Sequence, residues 1–216
     1  MIELNKCFRL LDEGFSLITV SNDKIPNTKW KEYQTKAIDK DTFEKHYNLS
    51  TTENTGIVTG YDYLEVIDVD LKVFSTAKEQ KDFWDEYLAF LKDNIFDFDD
   101  KFVIYKTQKN GYHILYKSKR VVGNTKIASL KGHKEAVIET RGVGGYVFVY
   151  NGKNQNEKTY KDIQFISDED RDILWSCSKT YNYVELIETV IPNKTKKEYS
   201  NDGLKSWDDY NNKTNI

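Results

Sequence analysis

Apolar residues along the chain keep either a helical or a strand rhythm. Leu4, Phe8 and Leu11 fall at helical spacing, and Gly14 stands where such a helix would end. "FSLITV" (15–20) predicts a strand, and "NDKIPNTKW" (22–30) a loop with two lysines, Lys24 and Lys29. A short helix is predicted near 41–48. "TGIVTG" (55–60) and "YLEVIDVD" (63–70) then predict a strand pair joined by a tight turn. Thr76 with Glu79 forms a capping-box start for a helix whose apolar face is Phe83, Trp84, Tyr87, Leu88 and Leu91. "KFVIYKT" (101–107) and "YHILYK" (112–117) flank Asn110-Gly111, a strong hairpin signal. "AVIETR" (136–141) and "GYVFVY" (145–150) flank a glycine turn and predict a second hairpin. Residues 167–181 read as a capped helix, and beyond about Ile191 the chain turns polar. The fold class that follows is α+β, with mostly antiparallel sheet, a few helices and no internal repeat. The predicted organisation is one domain over 1–190 and a polar linker over 191–216.

Some polar residues interrupt these apolar runs. Residues i and i+2 of a strand share a face, so Asp68 and Asp70 are predicted to project together, opposite Ile67, Val69 and Leu71. Two neighbouring carboxylates repel and stay ionised cheaply when a cation lies between them. Hard divalent ions such as Mg²⁺ take such oxygen ligands together with phosphates. The same pair also suits a solvent-facing strand. His113, on the polar side of "YHILYK", suits either a core histidine or a phosphate contact, and it follows the Asn-Gly turn directly. In "AVIETR", Glu139 and Arg141 face away from Ala136 and Ile138. They suit a third carboxylate ligand and a fork to phosphate, or a surface ion pair. Gly142, Gly144 and Gly145 permit close backbone approach, or simply a turn. Each alternative is reasonable alone, but the order D-x-D, His, Glu on three successive polar faces favours one site.

Composition narrows the class. The 216 residues suit one large domain with an appendage. The sequence has no apolar run of membrane length and no N-terminal apolar signal, which predicts a soluble, cytoplasmic protein without membrane contact. Cys7 and Cys177 match no zinc or redox spacing and read as buried reduced thiols. The net charge of −3 hides an asymmetry: residues 62–100 hold twelve acidic residues against four lysines, whereas 101–134 hold nine basic residues and no acidic one. An acidic stretch followed by a basic one suits cations held beside a polyanion, or ordinary solvated surface.

Four pieces in this order resemble the bifunctional primase–polymerase (prim-pol) N-terminal domain of the archaeo-eukaryotic primase superfamily, common in phages and plasmids. They are "GFSLITVSNDKIPNTKW" (14–30), "NTGIVTGYDYLEVIDVD" (54–70), "KTQKNGYHILYK" (106–117) and "IETRGVGGYVFVY" (138–150). The resemblance covers roughly residues 1–180. It implies an RRM-like catalytic sheet packed with an N-terminal α/β module and flanking helices. It implies template-directed primer synthesis in DNA replication, with single-stranded DNA and nucleoside triphosphates as partners and two divalent ions, Mg²⁺ or Mn²⁺. Carried over, Asp68, Asp70 and Glu139 are the catalytic metal ligands. His113 contacts the incoming triphosphate, and Arg141 the nucleotide or its phosphates. Gly111 stands where many relatives have the serine of Ser-x-His, and "VFVYNGK" replaces the usual proline–serine after the glycine turn. The tail "SWDDYNNKTNI" resembles a segment that links phage prim-pol domains to a helical module, which implies a fused or associated helicase.

Two rival classes fit parts of the pattern. A D-x-D glycosyltransferase would place its carboxylates after a nucleotide-binding βαβ half, not among hairpins. A non-catalytic RRM-like binding module would carry exposed aromatics where this chain has carboxylates, with Tyr112 and Tyr146 as the stacking candidates.

Overall fold

In the computed structural model, which describes residues 3–49, 54–150 and 154–183, helix α1 (Leu4–Asp12) leads into strand β1 (Leu17–Val20). Helix α2 (Lys40–Leu49) and strands β2 (Asn54–Val58) and β3 (Leu64–Val69) follow. Then come α3 (Ala77–Asn94), α4 (Phe98–Lys101), β4 (Val103–Lys106) and β5 (Tyr112–Lys117). The remaining elements are β6 (Thr125–Ser129), β7 (Ala136–Arg141), β8 (Tyr146–Phe148) and α5 (Asp168–Lys179). Every described residue lies within the unit Met1–Tyr183. The stretch 191–216, predicted as a linker, lies outside the described residues. Helices and antiparallel sheet are mixed, so the chain is α+β. Among the described residues no helix is long and apolar enough to cross a membrane.

The strands form two antiparallel sheets, a five-stranded one in the order β4-β5-β3-β7-β6 and a three-stranded one in the order β1-β2-β8. Strand β3 takes the centre of the larger sheet because it is apolar on both faces. Ile67 and Val69 pack with Trp84, Tyr87 and Leu91 of α3 and Leu174 of α5. Leu64 and Val66 pack on the other side with Leu17, Ile57 and Val147 of the small sheet and with Cys7 and Leu10 of α1. Each large apolar side chain buried this way contributes roughly 1.5–3 kcal/mol by leaving water. The capping box of α3 forms as predicted: Thr76 Oγ1 accepts from the Glu79 amide at 3.2 Å, and Glu79 Oε2 accepts from the Thr76 amide at 2.9 Å. Both cysteines are buried free thiols.

Three expectations need correction. Strands β2 and β3 do not pair; they belong to different sheets, joined by a short turn in which Asp62 and Tyr63 are left-handed. Strands β7 and β8 are not a hairpin either. β7 pairs with β3 and β6, whereas β8 pairs with β2, so the glycine turn carries the chain from one sheet to the other. Gly142 is required there, since a Cβ would run into the Val122 carbonyl oxygen. Third, the face of β3 that carries Asp68 is not free: its first half, Leu64 and Val66, is buried core. Only its far end, at Asp68, turns polar.

Beneath the large sheet, β3 also carries Glu65, fully buried on the helix side. Arg171 of α5 donates to both of its oxygens, at 2.7 and 2.9 Å, and the Tyr116 hydroxyl donates at 2.7 Å. The Val122 amide adds a fourth donor at 3.2 Å. This network ties α5, β5 and the segment after it to the central strand.

Candidate active site

One residue from each strand of the large sheet lines up in a transverse row. Tyr105 of β4 is opposite His113 of β5, His113 is opposite Asp68 of β3, Asp68 is opposite Glu139 of β7, and Glu139 is opposite Lys126 of β6. Directly opposed residues share a face with Cβ atoms about 4.5–5.5 Å apart, so His113, Asp68, Glu139 and Lys126 form a continuous polar floor, with Tyr105 beside it in the apolar core. Three of the predicted residues, from sequence positions far apart, meet in it. The register follows from apolar neighbours: Ile67 and Val69 must face α3, which turns Asp68 to the other side. Gly111 allows the β4–β5 turn to close against β3, because a Cβ there would strike the Val69 carbonyl oxygen. A serine has no room at that position.

The fourth predicted residue, Arg141, lies two positions from Glu139 on the same face, opposite Val66. Its Nε donates to Asp68 Oδ2 at 3.2 Å, and its Nη2 donates to Glu139 Oε1. One guanidinium therefore bridges both carboxylates. His113 approaches Asp68 from the other side, Nε2 to Oδ1 at 3.4 Å. Burial pushes the Asp68 carboxyl up, but the opposing charges and hydrogen bonds of His113 and then Arg141 outweigh it and bring it down to about 2. Glu139 is displaced the other way: burial raises it, Arg141 offsets part of this, and the negative charges of Asp68 and Asp70 raise it further.

Asp70 sits differently from the prediction. It lies just beyond the end of β3, its amide donating to the Val137 carbonyl at 3.0 Å. Its carboxylate accepts from the Lys72 amide at 3.1 Å and pairs with Lys72 Nζ at 3.0 Å. It thus stands at the margin of the row, close enough to act on Glu139 but turned toward Lys72. Among the described residues no three His, Cys, Asp or Glu side chains already converge in a metal-holding arrangement.

The donor set nonetheless suits a hard divalent cation. Asp68 is held ionised, Glu139 is raised by burial and by the neighbouring negative charges, and both offer oxygen. Among the described residues His113 Nδ1 is buried without a hydrogen-bond partner, the situation of an atom that a ligand satisfies.

Above this floor the end of the small sheet forms the wall of a cleft, with Tyr146 and Phe148 of β8, Tyr150 and the glycine turn. Lys24 reaches the cleft from its loop, anchored where its carbonyl accepts from the Tyr146 hydroxyl at 2.5 Å. Lys29, in the same loop, is exposed. Of the two stacking candidates, Tyr112 is on the opposite face of the sheet, stacked on Trp84 at 3.7 Å. Tyr146 is at the cleft, edge-on to Trp30 at 5.4 Å. Sequence reasoning missed Tyr150, whose ring lies 5.4 Å from that of His113, and the role of Asn124, whose Oδ1 accepts from the Gly142 amide at 3.1 Å. Neither has a local signal, since each depends on the turn between the sheets. The basic run 101–134 does not form one stripe. Lys101 pairs with Asp170, Lys117 with Asp62 and Arg120 with Asp172, while Lys126 joins the row.

A comparison with curated proteins gives no match. Residues 8–170 match the Prim-Pol family, described as bifunctional DNA primase/polymerase, N-terminal. That stretch contains the whole transverse row, Arg141 and the wall of the cleft. The chain therefore belongs to the bifunctional DNA primase/polymerase family, and its general function is that of a nucleotidyl-transferring DNA primase/polymerase.

Proposed function

We propose that the cleft adds nucleotides to a primer strand on a single-stranded DNA template during DNA replication, with two divalent ions, Mg²⁺ or Mn²⁺. The observation that carries this reading is the row His113–Asp68–Glu139 with Arg141 beside it: acceptors for cations and donors for phosphates on one floor. Asp68, Asp70 and Glu139 are the residues to hold the ions. Bound there, the ions would neutralise triphosphate charge and activate the attacking 3′-hydroxyl. Arg141 offers a planar fork that matches phosphate as well as carboxylate. His113 offers its unpartnered ring nitrogen to a phosphate oxygen. Lys24 adds positive charge from the wall. The strand order supports an RRM-like sheet, because α3 crosses from β3 to β4 while β5 inserts between them, a split β-α-β unit. The tail motif near Asp208 supports a fused or associated helicase as partner.

The test is incubation with single-stranded DNA, labelled nucleotides and Mg²⁺ or Mn²⁺, followed by sizing of the products. A ladder that depends on template and on divalent cation is expected. Template binding without any product would instead identify a non-catalytic nucleic-acid-binding module.

A further inference from the structure

We propose that Arg141 is an internal counter-ion of the cleft, holding Asp68 and Glu139, carboxylates that divalent cations would take, and releasing them when cation and triphosphate bind together. This rests on the reading of Asp68, Asp70 and Glu139 as metal ligands. Two of these three share one basic partner inside the site, whereas the third, Asp70, pairs with Lys72 at its margin. Arg141 bridges Asp68 and Glu139, and Lys72 holds Asp70 while its Nζ also pairs with Glu135 at 2.8 Å. The two pairings arise differently. Arg141 reaches along its own strand from the row behind, and Lys72 follows Asp70 by two residues in the turn that Asp70 caps.

The arrangement has a thermodynamic consequence. Asp68 and Glu139, opposed across two strands, repel each other, and the guanidinium relieves this without any cation. A divalent ion arriving alone must break those ion pairs and leave a partly buried guanidinium without a partner. A triphosphate arriving with the ion supplies new oxygens to the same fork. Cation and triphosphate therefore bind with positive coupling, each raising the affinity of the other by the same factor. Without Arg141 the cation alone should bind more tightly and the coupling should shrink. A residue that merely positioned the ligands would have the opposite effect on cation binding.

The test is calorimetric titration of the full chain with Mn²⁺, alone and with a non-hydrolysable nucleoside triphosphate analogue. Arg141→Gln should bind Mn²⁺ alone roughly five- to tenfold more tightly than the wild type, with a correspondingly smaller gain from the analogue. Arg141→Lys keeps the charge but cannot span both carboxylates, and it should fall between the two. It decides the question should Arg141→Gln fail to fold without metal. Asp68→Asn is the control and should lose most Mn²⁺ binding. If Asp68→Asn loses Mn²⁺ while the Arg141 variants bind it no more tightly than the wild type, the counter-ion role is wrong and the metal reading stands. If Asp68→Asn binds Mn²⁺ like the wild type, both fall.

Discussion

Strand β3 carries two acidic side chains three residues apart, Glu65 and Asp68, on opposite faces of one sheet, and each meets an arginine. Glu65 is sealed. It has no exposure, four donors surround its two oxygens, and its arginine belongs to it alone. Asp68 is open. It shares one arginine with a second carboxylate, faces a cleft, and neighbours a histidine with an unpartnered nitrogen. A closed ionic network fixes geometry, because every charge already has its partners. A network in which one arginine is shared by two carboxylates at a cleft leaves oxygen open to a ligand. The contrast separates a closed charge cluster from one that faces a cleft, on two sides of the same strand, and under the proposed function the second is the working one.

The largest effect should come from breaking the sealed side. Arg171→Ala leaves Glu65 buried without its ion partner, which costs about 3–5 kcal/mol. For a chain of this size that lowers the melting temperature by roughly 6–20 °C, readable by calorimetry. An unchanged melting temperature would mean that Glu65 finds water, and that the two sides do not differ as described. On the open side, His113→Ala should cost less in melting temperature than Arg171→Ala, because it removes a buried ring and one partner of Asp68 but leaves Arg141 in place. It should raise the KM for nucleotide or lower kcat by roughly tenfold, the equivalent of one charged hydrogen bond, with template affinity unchanged. A variant that is insoluble would make His113 a core residue instead. The smallest effect concerns acid. The Asp68 carboxyl is lowered from its ordinary 3.8 to about 2, so the stability it contributes is fully present above about pH 4 and is lost as pH falls toward 2. Asp68→Asn should flatten that part of the stability curve. If the variant and the wild type lose stability in parallel between pH 4 and 2, Asp68 is not held by His113 and Arg141.

Local chemistry was readable in the sequence, and tertiary partnership was not. The capping box at Thr76 and the Asn110-Gly111 hairpin involve residues within a few positions of one another, so the pattern contains both partners. Asp68, His113, Glu139 and Arg141 were legible because alternation assigns each to the polar side of its strand. That they form one row depends on strand order, which alternation does not contain. The β7–β8 hairpin failed for the same reason. Two strands with a glycine turn between them resemble a hairpin, yet β8 finds β2 because its apolar residues complete the small sheet. Asp70 was misplaced because the strand ends one residue before it, where the chain turns through Lys72. Glu65 and Arg171 are 106 positions apart, and nothing near either one announces the other. Tyr150 and Lys24 come to the cleft from outside the large sheet, the first just after β8 and the second in the loop after β1.

The contrast between the two carboxylates is tested most directly by nucleotide incorporation on single-stranded DNA with Mn²⁺, comparing Asp68→Asn and Glu65→Gln at a temperature where both are folded. Asp68→Asn should lose activity by roughly a hundredfold or more, the scale of disturbing a metal site, while keeping its fold. Glu65→Gln should melt lower yet retain incorporation close to the wild-type rate. An Asp68→Asn variant that extends primers as fast as the wild type, or a folded Glu65→Gln variant that makes no product, would contradict the assignment of catalysis to the open face of β3.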